Sequence, residues 1–349
     1  MVFAYNIFII LYGLGIRIAA LLNKKARLWH HGRIGWQEKM ERTLSTNQHK
    51  IIWIHSASLG EFEQGRTLIE SIRKHYPSYK ILATFFSPSG YEVRKNYAGV
   101  DYVFYLPLDT KKNAEQFIEL VQPSLVLFIK YELWYHYLHT LHKKRIPTIL
   151  ISAIILPSQA YFGVVGNFFQ QMLQYFTHVF VQDEPSKQLL QSLNIHSSVS
   201  ISGDTRFDRV TEIIHESFQH KAIEHFCGNH QVIVAGSTWK EDEEMLSCLQ
   251  ANRKDLKCII APHEISPSHI TNIQSAFKNV SLLSGYDFNK KSNVLVIDSI
   301  GMLSKIYRYA TITYVGGGFN NAGIHNVLEP AAYGKIVCWG PHYNRSAEA

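Results

Sequence analysis

The chain has 349 residues, 46% hydrophobic and 18% charged, a balance that excludes a disordered or fibrous chain and suits about two globular domains. Its net charge of +7 is local, because the first 50 residues hold eight Lys or Arg against only Glu38 and Glu41. A nucleic-acid binder spreads its basic residues over a folded face, so this cluster beside an apolar N-terminus points away from nucleic acid and toward anionic lipid headgroups.

From Val2 to Leu22 the sequence is almost entirely apolar, broken by Asn6 and Arg17. A helix of this length either crosses roughly 30 Å of hydrocarbon or lies in the interface. Arg17 sits near one end, where its side chain can snorkel, and Lys24, Lys25, Arg27 and Arg33 follow, so this end is expected at the cytoplasmic face. There is no basic n-region and no clear small-x-small cleavage site, which argues against a cleaved signal. Gly13 and Gly15 lack a preceding strand and read as helix-packing glycines, not as a dinucleotide fingerprint.

After residue 50 short β-rich runs alternate with helical patterns, the rhythm of a parallel sheet with crossover helices. The first run, IIWIH (51–55), leads through SASLGE (56–61) into a helical stretch from Phe62 to His75. Gly60 is expected to allow a tight strand-to-helix turn and to set Glu61, with Ser58 before it, in the first helical turn. Spacing leaves two readings of Glu61 even: a base facing an acceptor hydroxyl, or an acid that satisfies the helix dipole. KILATF (80–85) ends at Ser87, Ser89 and Gly90, which open a helix whose N–H groups suit an anion or an ordinary cap equally. SLVLFI (124–129) runs into KYELWYH (130–136) and places Glu132 and Trp134 just past a strand end, as ligand contact or buried charge partner. TILIS (148–152) and HVFVQ (178–182) complete this set.

From Asp208 to Phe226 no strand pattern occurs, and this helical stretch is the expected linker. The rhythm restarts with QVIVAG (231–236), followed by Ser237 and Thr238 at a helix start and by acidic residues through Glu244, read as a solvated first turn. KCIIAP (257–262) ends at His263 and Glu264; NVLVID (293–298), ATITYVGG (310–317) and KIVCWG (335–340) follow. The most specific signal is VGGGFNNAGIHNVLEPAAYG (315–334). Core packing does not call for a glycine triplet, so Gly316, Gly317 and Gly318 read as close backbone approach to a ligand, with loop and helix N–H groups offered to a phosphate. A helix is expected to open between Gly323 and Asn326, with His325 and Glu329 on one face and the carboxylate near ribose hydroxyls. The closing GPHYNRSAEA reads as a loop and the start of a helix, which suggests a C-terminal truncation.

Two such sets imply two Rossmann-like domains that bind ligands between them, at the carboxyl ends of the strands. Cys227, Cys248, Cys258 and Cys338 show neither close pairs nor metal-ligand spacing and suit a reducing compartment. No H-E-x-x-H occurs, and the neighbours His30 and His31 diverge on a helix, so no metal is expected.

GRIGWQEKMER, HSASLGE, TFFSPSG, YELW, GDTRFD, the GS…EE stretch and GGG…HNVLEPAAYG with GPH occur in that order. Through most of the chain this series resembles the 3-deoxy-D-manno-octulosonic acid (Kdo) transferase family of lipopolysaccharide synthesis. The resemblance implies an α/β fold of GT-B type, two Rossmann-like domains facing a central cleft: residues 1–23 a membrane-anchor helix, 24–205 the acceptor domain, 206–349 the donor domain. It implies an inverting transfer of Kdo from CMP-Kdo to a lipid A precursor, lipid IVA, at the cytoplasmic leaflet of the inner membrane. Glu61 would be the catalytic base. Ser58, Gly60, Ser87, Ser89, Gly90 and Glu132 would lie on the acceptor side; Ser237, His263, Gly316, Gly317, Gly318, His325, Asn326 and Glu329 would hold the donor. No cofactor is implied. No D-x-D motif is present and CMP has one phosphate, so turnover is expected to need no metal. Two departures from the family pattern bear on anion contacts: Pro262 stands where many members carry arginine, and an arginine common in the family is replaced within Ile154 to Pro157. A transferase for a UDP-hexose, or a non-catalytic membrane-bound binding module, are the other readings.

Overall fold

The structure, a computed structural model, describes residues 1–349 except Tyr131, Asn194, His196, Asn321, Ala322, Asn344, Arg345, Ala347 and the side chain of Arg209. Tyr131 of the YELW run, Asn321 and Ala322 of the glycine-rich stretch, and three residues of the closing GPHYNRSAEA thus lie outside the described residues. The chain divides into two compact units, Met1–Arg206 and Phe207–Ala349.

In the first unit, β1 (Ile51–Ser56), β2 (Lys80–Phe85), β3 (Tyr102–Tyr105), β4 (Pro123–Ile129), β5 (Thr148–Ala153), β6 (His178–Val181) and β7 (Ser198–Ile201) form one sheet. All neighbours are parallel, in the order β3-β2-β1-β4-β5-β6-β7. Strand β1 is apolar at nearly every position because both of its faces are covered. Ile51 and Trp53 enter one core, where Trp53 meets the rings of Phe117, Phe128 and Tyr137; Ile52 and Ile54 enter another with Phe62 and Ile69. The helices are α1 (Val2–Ala19), α2 (Lys24–His31), α3 (Trp36–Leu44), α4 (Leu59–His75), α5 (Pro88–Arg94), α6 (Lys111–Val121) and α7 (Tyr135–Lys143), then three more up to Ser192.

The second unit repeats the plan with β8 (Val232–Thr238), β9 (Lys257–Pro262), β10 (Val280–Leu282), β11 (Val294–Val296), β12 (Ile312–Val315) and β13 (Ile336–Trp339). Their order is β10-β11-β9-β8-β12-β13, again parallel throughout. Every strand expected from the sequence is present. The three that were not expected, β3, β7 and β10, are all edges of their sheets. An edge strand is short and needs no continuous apolar run, so it leaves little pattern to read.

The apolar N-terminal segment forms α1, whose 18 residues have a mean hydropathy of 1.8, long and apolar enough to cross a membrane by length and composition. One face nevertheless lies along the first unit. The Tyr5 hydroxyl donates to Asp109 Oδ2 at 2.5 Å, Asn6 Oδ1 lies 2.6 Å from His136 Nε2, and Ile9 is fully buried. At Gly13 a Cβ would stand 2.8 Å from Leu108, so glycine lets this helix approach the body. Arg33, grouped with the lipid-facing cations in the sequence, belongs elsewhere. Its guanidinium donates to the carbonyls of Trp29, Phe86 and Leu106 at 2.7–3.0 Å and lies over the Trp29 ring, so it ties α2 to the loops after β2 and β3.

Asp109 is the hub of this attachment. Besides Tyr5 it accepts from the backbone N–H groups of His136 and Tyr137, the first turn of α7. Burial outweighs these bonds and pushes the carboxyl up to about 6. A raised carboxyl favours the folded state below its unfolded pKa, near 4, and that contribution disappears as pH rises through about 6. We therefore expect the stability of the wild-type protein to fall between pH 4 and 6 by roughly 3 kcal/mol more than that of Asp109→Asn, measured by urea denaturation across that range.

Candidate active site

In the first sheet the chain order reverses between β1 and β4, and such a switch point leaves a crevice at the carboxyl ends of the two strands. Glu61 follows β1 and Glu132 follows β4, so the two carboxylates flank it. Glu61 is the third residue of α4, and its Oε2 accepts from Ser58 N–H at 2.7 Å and Ser58 Oγ–H at 2.8 Å. The helix-capping reading of Glu61 is thus realised, yet Oε1 has no hydrogen bond among the described residues and remains available. Gly60 does not make the turn expected of it: the chain turns at Ser56–Ser58, Gly60 is already helical, and a Cβ there would meet nothing closer than 3.9 Å.

After β2, Ser87 caps α5 by accepting from Ser89 N–H at 3.3 Å, and the Ser87 and Ser89 hydroxyls are 3.0 Å apart. Ser87 N–H donates to Ala57 O at 2.7 Å, which fastens this loop to the one that carries Glu61. Gly90 is not exposed to an anion; it is buried against Phe85, whose ring a Cβ would approach to 2.2 Å.

Glu132 ends a relay that the sequence did not suggest. Trp53 Nε1–H donates to Thr84 Oγ1 at 2.8 Å, Thr84 Oγ1 lies 2.9 Å from His55 Nδ1, and His55 Nε2 lies 2.8 Å from Glu132 Oε2. An ionised carboxylate only accepts, so a neutral His55 carries its proton on Nε2 facing Glu132, and the Thr84 hydroxyl donates to Nδ1 while accepting from the Trp53 indole. Trp134 Nε1–H gives Glu132 Oε2 a second bond at 2.9 Å, and Oε1 is left without a hydrogen bond among the described residues.

In the second sheet the order reverses between β8 and β12, so Ser237 and the Gly316–Gly318 turn share the carboxyl rim. The triplet has a packing cause that sequence reasoning dismissed. A Cβ on Gly316 would lie 2.4 Å from Ser237 O, and one on Gly318 would lie 2.7 Å from the Gly340 backbone, while Gly317 has φ +93°. Nor do these glycines offer a free cradle: Gly316 N–H donates to Gly236 O and Gly317 N–H to Asp242 Oδ2, each at 2.9 Å. Asp242 also accepts from Trp239 N–H and the Tyr314 hydroxyl. Glu243 accepts from Thr238 and lies 2.9 Å from His269 Nε2. Both acids are buried, in place of the solvated turn expected there.

His325 and Glu329 do not share a helical face, because the helix begins only at Leu328. His325 instead stacks on His263 (4.6 Å), which stacks on Trp239 (4.5 Å), and Trp239 Nε1–H donates to His325 Nε2 at 3.3 Å. Burial, then the nearby His263, holds His325 below the usual histidine range, so it is neutral at pH 7 with its proton on Nδ1. Asn326 turns inward on the helix it precedes, accepting from Leu328 N–H and donating to Glu329 Oε1 at 3.2 Å.

Residues 33–209 match the family model described as 3-deoxy-D-manno-octulosonic-acid transferase (kdotransferase). The chain belongs to the Kdo transferase family. It is 27% identical to a 3-deoxy-D-manno-octulosonic acid transferase of Rickettsia felis over 310 residues, 85% of this chain and 65% of that relative. The corresponding Haemophilus influenzae protein is 26% identical over 83% of this chain and 70% of its own length. Among solved structures, a UDP-GlcNAc 2-epimerase from Neisseria meningitidis bound to UDP-GlcNAc has a TM-score of 0.56 at 17% identity, covering 82% of this chain and 81% of that one. A glycosyltransferase from Rickettsia africae has a TM-score of 0.53 at 12% identity, covering 87% and 83%. At such identities these likenesses concern the fold, two parallel-sheet α/β units of GT-B type.

Within this member of the family the residues that sequence reasoning missed as site-builders are His55, Thr84, Trp239 and Asp242. Only their positions at a strand end or helix start were legible; His55 and Thr84 are 29 positions apart, Trp239 and His325 86, and Asp242 and Gly317 75. The packing account of the glycine turn has a direct check. Gly318→Ala, which drives a methyl into the Gly340 backbone, should cost about 1–3 kcal/mol in urea denaturation. Gly285→Ala, which meets nothing within 4 Å, should stay within about 0.5 kcal/mol of wild type.

Proposed function

We propose that this chain transfers Kdo from CMP-Kdo to a hydroxyl of a lipid A precursor, lipid IVA, with inversion at the anomeric carbon. The observation that carries the reading is the pair of carboxylates at the switch point of the first sheet, each held through one oxygen with the other free, in a chain of the Kdo transferase family. Because the chain spans 65% of the length of the Rickettsia felis relative, the activity of the whole protein is part of this proposal.

In the reaction the bond between the anomeric carbon and the CMP phosphate oxygen breaks, and its electron pair leaves with CMP. The acceptor oxygen forms the new bond as its proton passes to Glu61 Oε1. Ser58 aims Glu61 by occupying Oε2, and Gly60, with no side chain, keeps the approach open. Glu132 orients the acceptor, with Ser87 and Ser89 on the same rim. The donor is assigned to the second unit, where Ser237, Gly318, His263, His325, Asn326 and Glu329 surround the carboxyl ends of β8 and β12. Since the Gly316 and Gly317 N–H groups already have acceptors, those two glycines contribute close approach and not charge stabilisation. The setting for this chemistry is the cytoplasmic leaflet of the inner membrane, where an acylated acceptor resides.

Incubation with CMP-Kdo and lipid IVA, followed by mass spectrometry, should yield Kdo-bearing product; none from the complete protein refutes the proposal. Glu61→Gln should lower the rate roughly 10²- to 10⁴-fold while CMP binding by calorimetry is retained. Glutamine at this position still accepts from Ser58 N–H, so the helix cap survives. The transfer should also proceed unchanged in EDTA, whereas a loss restored by magnesium would place a metal on the donor.

A further inference from the structure

Helix α1 is apolar all round, and a helix of that kind must be covered all round. The face of Tyr5, Asn6, Ile9 and Gly13 is covered by the first unit. The opposite face, with Phe3, Phe8, Ile10, Leu11, Leu14 and Ile18, is 51–77% exposed. Leaving the body to cross a bilayer would break the Tyr5–Asp109 bond and strand the Asn6 amide in hydrocarbon. A helix fixed along one side therefore lies in the interface with its outward face in the acyl layer.

Between α1, α2 and the start of α5 runs an open groove of about 330 Å³. Tyr12, Ile16 and Ala19 form one wall, Ala26 the other, and the Trp29 and Phe86 rings the floor. Asn23, Lys25, Ser87 and Pro88 complete the lining. The apolar stretch is continuous with the exposed face of α1, and Ser87 is the residue bonded to the loop of Glu61. Lys25, with Lys24 and Arg27 on the same helix, supplies positive charge at the mouth.

We propose that this groove holds one acyl chain of the glycolipid acceptor, drawn from the bilayer along α1, so that the sugar headgroup emerges at Ser87 beside Glu61. The lining is mainly hydrocarbon and aromatic ring, with the Tyr12 hydroxyl and the Trp29 indole N–H as the polar groups from those two side chains. The cations at the mouth suit the phosphates of an anionic lipid, which commits the occupant to an amphiphile. The assignment rests on the proposed transfer for the identity of the acceptor, though not for the groove itself.

Two measurements separate the groove from the chemistry. The first is transfer to the acylated acceptor and to its deacylated, water-soluble core. Ala19→Trp fills one wall and should lower the preference for the acylated form, as a ratio of kcat/KM, at least tenfold, through KM; an unchanged ratio overturns the proposal. The second needs no turnover. Full-length protein is irradiated on vesicles of phosphatidylglycerol that carry a diazirine in one acyl chain. Label on residues 12–29 and on Phe86, reduced in Ala19→Trp, supports the groove; label confined to the outward face of α1 overturns it. Should no transfer occur with either acceptor while the groove is labelled, the proposed chemistry fails and the acyl site stands. A lipid-free dimer that Ala19→Trp dissociates would assign the groove to a second copy of this chain.

Discussion

Several helices that follow a strand in this protein begin at the carboxyl rim of a sheet, where backbone N–H groups would be left without partners, and side-chain carboxylates satisfy some of them. Glu61 takes Ser58 N–H, Asp109 takes His136 and Tyr137 N–H, Asp183 takes Ser186 N–H, and Asp242 takes Trp239 and Gly317 N–H. An orphaned buried N–H costs about as much as a lost hydrogen bond, and an anion at a helix N-terminus gains from the dipole as well. The carboxyl rims of both sheets owe their shape to this constraint. So does the attachment of α1, since Tyr5 reaches Asp109 only because α7 has drawn that carboxylate inside.

The same device separates structural from chemical use of an acid. Asp242 spends both oxygens on the protein and is buried, so its role is to tie the loop after β12 to the helix start after β8. Glu61 and Glu132 spend one oxygen each at the open rim. Their environments differ: Glu61 is held within its own turn by Ser58, whereas Glu132 is held by a relay that starts at the buried Trp53, one strand away. A change in the core at Trp53 or Thr84 is thereby felt at the rim.

Much of the fold was legible because buried parallel strands are nearly continuous apolar runs, and their order along the chain gives the α/β class directly. The edges β3, β7 and β10 were not, since a strand paired on one side only has no need of such a run. The placement of polar residues at strand ends was legible, as with Glu61, Ser87, Glu132, Ser237 and His263. The reason for each residue was less legible. Gly316 and Gly318 are glycines because backbones from β8 and the loop after β13 press against them, and those neighbours are distant in sequence. Asp242 and Glu243 look like a solvated helix start until Gly317, Tyr314, Thr238 and His269 are brought to them.

By itself the sequence determined the two sets of alternating elements, the apolar N-terminal helix, the strand-end placement of Glu61 and the family motifs, all of which depend on short-range pattern. Tertiary structure decided which strands became neighbours and so where the switch points fall. It also decided that Arg33 is a cross-link and not a lipid contact, that His325 stacks on His263 in place of sharing a helix with Glu329, and that α1 lies against the body. These outcomes turn on contacts between residues far apart in the chain, for which local periodicity and capping signals carry no information.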